Sequence, residues 1–349
     1  MSVITNHERP GVYSAYEASS ITTAKSGGGA VALVAAVDGA NGKTVYPWYS
    51  YAQAVEDCGE GAAIAELARL ALKNGAGVVY GIPVSTDYIA GFETMAGLEQ
   101  VNVVFCDSTE TNVVAAFKSA IDSCVEERRE RLGVVCGAAG ETVTQLVSRA
   151  DTINSERIVL VAPGCVESDG ETVNCAMCGA AVAGLIAGQS DPAVPLGGAV
   201  VEGITGLSYD YIDSEVDRLV RGGVTALECR GGQVSVIRGI TTRTTTNDVL
   251  DATWRELTTI MVVDEVIPGI RNALKAKFAR AKNTAQTRGA ILSQVIVELE
   301  NRIAREIIDS YEDVTVTALE DDPTVCLVEF AFAVTHGLNQ IWLSAHITV

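Results

Sequence analysis

Several things are scarce in this 349-residue sequence, and each scarcity narrows what the chain can do. Histidine is nearly missing: His7, His336 and His346 are the only three, all toward the ends of the sequence. Histidine is the side chain whose ordinary pKa suits proton transfer near neutrality, so Ser/His/Asp or Cys/His machinery has no natural host. Aromatics make up 5% and glycines number 33, so packing must rely on Ala, Val and Ile against close backbone. Positive charge is short, with 25 Lys and Arg against 44 Asp and Glu, a net charge of −19. So acidic a surface repels phosphate, and no nucleic-acid partner is expected. The most apolar run, Ala176 to Gly188, has roughly thirteen residues where about twenty span a bilayer, so no membrane partner is expected either. Met1 to Arg9 has no apolar core of a secretion signal, and none is expected.

What is present is an ordinary globular composition, 48% hydrophobic and 20% charged, able to bury a sizeable core. Nine cysteines lie scattered through apolar stretches of a chain too large to need staples. That reads as reduced thiols in a cytoplasm.

The opening stretch differs from the rest. Pro10 biases Arg9 toward an extended conformation, and Gly27-Gly28-Gly29 supplies a flexible joint, so residues 1–29 read as an arm. From Ala30 the pattern is α/β. Apolar runs at Ala30 to Val37, Val78 to Ile82, Val101 to Phe105, Leu132 to Cys136 and Ile158 to Ala162 predict strands buried on both faces. Between them, Ser50 to Cys58, Ala62 to Lys73, Asn112 to Arg131 and Thr142 to Ala150 have helical spacing, and Cys175 to Ile186 is an Ala/Gly-rich helix fit for close backbone approach. Such alternation predicts a mainly parallel sheet with helices packed on it, over residues 30–197.

After a boundary at Gly197-Gly198 an α+β domain is expected over 198–336. It opens with a short helix at Glu215 to Val220 and a hairpin of Thr225 to Cys229 with Val234 to Arg238 across Gly231-Gly232. Helical stretches follow, Val249 to Val266 and Ile270 to about Tyr311, the second with a break near Gly289. Residues 337–349 read as a C-terminal arm strand.

Signals for chemistry are weak. Val37-Asp38-Gly39-Ala40-Asn41-Gly42-Lys43-Thr44 follows a buried strand, but a phosphate loop needs glycine where Val37 stands, and Pro47 interrupts the helix that should follow. An Asp-Gly/Asn-Gly turn explains it better. Cys175 and Cys178 have metal spacing without a second pair or a nearby histidine, so two small buried thiols on one helical face is the reading. Glu126-Glu127 and Asp321-Asp322 sit in charge-rich stretches as solvated carboxylates. No catalytic residue, cofactor site or metal ligand is expected.

Two features do stand out. Between Glu265 and Glu298 there is no acidic residue, yet the window holds Arg271, Lys275, Lys277, Arg280, Lys282 and Arg288. Ile267, Ile270, Leu274 and Phe278 form an apolar stripe there, with cations on its flanks. Against a background of −19 this points to an acidic partner surface. The second is the C-terminus, where Ile341, Leu343, Ala345, Ile347 and Val349 alternate strictly with polar or mixed positions. That is a strand, and an apolar strand must pair with something.

Together with these features, short motifs along the chain resemble the contractile phage tail sheath family, which includes sheaths of phage-tail-like bacteriocins and contractile injection systems. Arg9-Pro10-Gly11-Val12-Tyr13 is similar to the family's opening, and Tyr46-Pro47-Trp48-Tyr49-Ser50 through Cys58-Gly59 to a short helix that follows its first strand. Leu72-Lys73-Asn74-Gly75-Ala76-Gly77 resembles its Asn-Gly-Gly element. Leu219 to Val224, Arg238 to Thr242 and Trp254-Arg255-Glu256-Leu257 are similar to its assembly domain. Cys58 and Thr241-Thr242 stand where the family is more aromatic.

The resemblance implies a non-enzymatic structural subunit that polymerises in rings of about six around an inner tail tube. Baseplate and tail terminator proteins would be its other partners, with assembly in the host cytoplasm and residence in the tail of a virion or tail-like particle. It implies strand exchange through Val12, Tyr13, Tyr16, Ile341, Leu343, Ala345, Ile347 and Val349. It also implies tube contact through Arg271, Lys275, Lys277, Arg280 and Lys282. The rival expectation is a soluble cytoplasmic α/β enzyme holding a nucleotide in the sheet's crevice.

Overall fold

A computed structural model of the chain describes residues 28–167 and 170–346. In chain order its elements begin β1 (Ala30–Ala36), β2 (Tyr46–Trp48), α1 (Tyr51–Cys58), α2 (Ala63–Lys73), β3 (Val78–Val84), α3 (Tyr88–Ala96), β4 (Val101–Cys106) and α4 (Thr111–Glu126). Then come β5 (Leu132–Cys136), α5 (Val143–Ile153), β6 (Ile158–Ala162), β7 (Cys165–Val166), β8 (Val173–Asn174) and α6 (Cys175–Ala187). The remainder is α7 (Asp213–Arg221), β9 (Val224–Arg230), β10 (Gln233–Val236), β11 (Thr245–Thr246), β12 (Val249–Leu250), α8 (Leu257–Phe278), α9 (Ala285–Ala304), β13 (Ile308–Ala318) and β14 (Cys326–Val334).

Eight strands form one sheet in the order β10-β9-β6-β5-β4-β1-β3-β2. The inner pairs are parallel and the two edges, β2 and β10, are antiparallel. Continuous apolar runs suit this sheet because both faces are covered. On one face α2, α6 and the first turn of α8 bury Leu70, Ala183 and Ile260 against Leu33 and Phe105. On the other, α3, α4, α5 and α7 bury Phe92, Phe117, Leu146 and Leu219 against Val34 and Val104. The small-residue helix approaches its neighbour as expected: a Cβ on Gly184 would lie 2.3 Å from the Ala71 carbonyl oxygen.

Several boundaries differ from those read in the sequence. β9 lies beside β6 in the main sheet, so the sheet runs past Gly197-Gly198; the Gly231-Gly232 hairpin is there, but its first strand completes the α/β body. α3 has no counterpart among the expected helices. Residues 249–256 are not helical, because Asn247 and Asp248 take left-handed φ of 51° and 62° in a two-residue turn between β11 and β12. α8 begins only at Leu257 and continues through Pro268; the break falls at residues 279–284, not at Gly289, which lies inside α9. Residues 308–311, expected as helix, open β13.

The C-terminal module has its own small core. Val266 and Ile270 of α8 meet Val295 and Leu299 of α9 and Ile308 of β13, with Phe330 and Phe332 of β14 half-buried on them. Buried ion pairs tie it to the body: Arg157 at the start of β6 grips both Asp264 carboxylate oxygens at 2.8 and 2.9 Å. Arg271 and Glu130 meet at 2.6 Å.

Candidate assembly interface

An enzyme on this fold would use the carboxyl ends of β1 and β4, where the chain's strand order reverses. That place is filled by the protein itself. Asp107, which follows β4, accepts from the Ala36 N–H at 2.8 Å and from the Tyr88 hydroxyl at 2.7 Å. Burial raises the pKa of Asp107 despite those bonds, and burial with the Asp107 bond raises that of Tyr88. The loop after β1 is tied down as a turn, with Gly42 N–H donating to Pro83 O at 3.1 Å and Asn41 bridging Val84. No helix opens on it, unlike a phosphate loop.

A second recess of about 420 Å³ lies at the carboxyl ends of β5 and β6, beside Gly137, Cys175 and Tyr211. Its charged groups are already engaged. Glu141 pairs with Arg149 at 2.6 Å, Glu215 accepts from the Ile212 N–H at 3.1 Å, and Arg218 donates to the Thr144 hydroxyl at 3.0 Å. Cys175 opens α6 and Cys178 is buried one turn on, its pKa raised by the Cys165 thiol bonded to it and by burial. All nine cysteines are free thiols. Among the described residues no group of three or more His, Cys, Asp or Glu is placed to hold a metal, and no helix is long and apolar enough to cross a membrane.

The unsatisfied surfaces lie elsewhere, on the C-terminal module. β13 and β14 form a two-stranded antiparallel sheet, and among the described residues neither outer edge pairs with another strand. The segment after β14 leaves the body where Gly337 packs on Pro195. The strand expected here is not formed within the chain: residues 335–346 join no ladder. Leu338, Ile341, Trp342 and Leu343 are 74%, 81%, 90% and 93% exposed. An extended segment acquires strand structure only from a partner edge, and among the described residues this one pairs with none. Ala345 is likewise exposed, while Ile347, Val349 and the N-terminal Val12, Tyr13 and Tyr16 lie outside the described residues.

The cations divide. Arg271 is bound to Glu130 within the chain. Lys275 and Lys277 are exposed on the last turns of α8, Lys277 donating to the Gln294 side chain. Arg280 and Lys282 are exposed in the loop after the helix, so they extend the strip beyond the helical face expected for them. Arg288 is turned inward, donating to Asn283 Oδ1 at 2.8 Å. Lys275, Lys277, Arg280 and Lys282 have no carboxylate within ion-pair distance among the described residues. Sequence reasoning missed one structural feature, the Pro268–Gly269 step inside α8. A Cβ on Gly269 would meet the Arg302 guanidinium at 2.0 Å, so Gly269 leaves room for that group to lie against α8 and donate to the Glu265 carbonyl oxygen at 3.4 Å, while it holds Glu298 of its own helix at 2.8 Å. The Pro-Gly pair was its one sequence signal.

Among the described residues, then, an α/β body carries a C-terminal module with two unpaired strand edges and an exposed apolar segment. Comparison with known proteins gives the family. A model described as the phage tail sheath protein central domain matches residues 83–242, and one described as the phage tail sheath C-terminal domain matches residues 250–348. The chain belongs to the phage tail sheath family. It is 28% identical over 253 residues to the tail sheath protein of Bacillus phage SP01, a match covering 68% of this chain and 42% of that one, so the chain spans less than half of that relative's length. Its fold is similar to a chain in the baseplate of the anti-feeding prophage, with a TM-score of 0.75 at 15% identity over 98% of this chain and 100% of that one. It is also similar to a chain of the contracted helical sheath of the same particle, with a TM-score of 0.72 at 15% identity over 97% and 98%.

Proposed function

We propose that the chain is the structural subunit of a contractile tail sheath, which polymerises as stacked rings around an inner tail tube and contracts to drive that tube through a target envelope. The observation that carries this reading is the C-terminal module: a hairpin with both edges open beside an apolar segment that lacks a ladder. In a monomer such edges invite uncontrolled association. When edge and donor strand sit on one chain, each copy serves its neighbour, the contact runs head to tail, and it need not close, which gives a helical polymer. Ile341, Leu343, Ala345, Ile347 and Val349 act as the donor, with Val12, Tyr13 and Tyr16 as a second arm. Rings of six are the working geometry, in keeping with the 6-fold symmetry of the anti-feeding prophage baseplate.

Lys275, Lys277, Arg280 and Lys282 face the tube, with Arg271 held by Glu130 at the inner end of the strip. Contacts of this kind weaken with salt and suit a grip that must let go on contraction. Baseplate and tail terminator proteins bound the polymer at its two ends. Assembly takes place in the host cytoplasm, and the product resides in the tail of a virion or tail-like particle. No turnover and no cofactor form part of this role. Negative-stain electron microscopy of the purified chain at moderate and low salt tests it. Striated hollow cylinders are the expected result. Dispersed particles at every salt and concentration, joined by a thermal shift with nucleotides, would favour an enzyme instead.

A further inference from the structure

The cation strip has a neighbour that its sequence position does not reveal. Asn283, next to Lys282, donates through its side-chain amide to the carbonyl oxygens of Pro323 and Val325, at 2.8 and 3.1 Å. Arg288 fixes that amide from behind. The loop between α8 and α9 is therefore fastened to the turn between β13 and β14, and this turn reads Glu320-Asp321-Asp322. Asp322 is spent within the turn, accepting from the Thr324 N–H at 2.8 Å and from its hydroxyl at 2.6 Å. Glu320 and Asp321 are exposed and make no ion pair or hydrogen bond of their own among the described residues. The most acidic turn of the module is thus clamped beside its most basic loop, without contact pairs between them.

The fastening sets Glu320 and Asp321 in the same surface corner as Lys282, at close range without contact, where attraction is felt without fixing any geometry. Exposed carboxylates at that range lower the positive potential that an incoming surface meets, and they do so permanently because Asn283 holds the loops together. We propose that the corner formed by α8, its following loop and the β13–β14 turn is a self-screened cation site, which accepts an acidic protein surface only where that surface is denser in carboxylates than the turn itself. This rests on the tube-facing reading of Lys275, Lys277 and Lys282. A weakly acidic protein surface, including the chain's own, then fails to compete, so the strip is kept from capturing other copies of a subunit whose net charge is −19.

The test measures binding of labelled poly-L-glutamate to the full chain by fluorescence anisotropy at low salt, about 50 mM, and high salt, about 500 mM, where screening shrinks to a few ångström. The double variant E320Q/D321N alters exposed side chains with no partners and spares Asp322. It is expected to bind roughly three- to tenfold tighter than the unaltered chain at low salt, with the gain vanishing at high salt. The triple variant K275Q/K277Q/K282Q is expected to lose the binding. Equal affinity of the unaltered chain and E320Q/D321N, with the triple variant weakened, overturns the screening while leaving the cation strip in place. No loss in the triple variant overturns the tube-facing reading and the screening with it. Tighter binding of duplex DNA than of poly-L-glutamate to E320Q/D321N overturns the choice of an acidic protein partner.

Discussion

The α/β body and the C-terminal module are made of the same residue types and finish in opposite conditions. In the body, β1 buries Val31, Leu33 and Val34 completely, and the strands beside it bury both faces under helices. In the module, β14 alternates half-buried and exposed along its whole length, and its partner β13 is half-buried or exposed everywhere except at the buried Ile308. The body's antiparallel edge strands, β2 of three residues and β10 of four, are short, which discourages pairing with another chain. The module has a sheet of two strands on a helical pair and is tied to the body by the Arg157–Asp264 and Arg271–Glu130 pairs. The contrast separates a sheet covered on both faces within one chain from a hairpin that, on the proposed reading, is completed by a neighbouring copy.

The largest expected effect comes from deleting everything after Gly337. The body should denature as before, within about 0.5 kcal/mol, because the described residues of the deleted segment, 338–346, are exposed. Polymerisation, followed by sedimentation and electron microscopy, should be lost entirely. Tubes formed by the truncated chain would erase the distinction between the two regions. Next in size is K275E/K277E/K282E, expected to abolish decoration of the inner tube with an unchanged circular dichroism spectrum; normal decoration would remove the strip from the account.

Two smaller effects sharpen the comparison within the free subunit. Leu33→Ala cuts a fully buried side chain of the body and should cost about 3 kcal/mol in denaturant unfolding. Phe330→Ala, on the half-open hairpin, should cost about 1 kcal/mol in the same experiment, since much of the ring already meets solvent. Equal costs would mean the module is packed like the body. The smallest effect concerns the clamp. Burial pushes the Glu130 carboxyl up, but the hydrogen bond and charge of Arg271 outweigh it and hold the pKa below the ordinary value. A depressed carboxylate pKa stabilises the fold above its unfolded value, and that contribution fades as pH falls through the folded one. Glu130→Gln should therefore lose about 1 kcal/mol at neutral pH and nothing at pH values below the folded pKa of Glu130, checked by thermal unfolding across the acid range.

The body was easy to read from sequence for a physical reason. Strands covered on both faces must be apolar throughout, and residues 30–36, 101–106 and 158–162 leave no other interpretation at their length. The module was harder. Its helices carry an apolar stripe that continues through Ile267 and Pro268, so the true break at residues 279–284, marked only by Asn283 and a capping Thr284, was displaced to Gly289. Residues of β12 read as helix in sequence because the short hairpin at Asn247-Asp248 leaves Val249 and Leu250 in the open, where apolar residues mimic the start of a buried helix. The C-terminal alternation reads as a strand in sequence and has no ladder in the chain. Periodicity records what a segment is suited to pair with, and a partner on another copy is invisible to it. The basic strip was visible as a gap in the acidic residues, whereas its fastening to the turn that carries Glu320 and Asp321 depends on Asn283 reaching the Pro323 carbonyl forty residues away, which no local pattern encodes.

Hydrogen–deuterium exchange on the free subunit and on assembled cylinders tests the central claim most directly. The account predicts that amides of β13, β14 and residues 338–346 exchange rapidly in the free chain and become protected on assembly, while β1, β4 and β6 stay protected in both. Protection of β13, β14 and the C-terminal segment already at full strength in the free subunit, or its absence in the cylinders, would contradict the view that this module is completed by its neighbours.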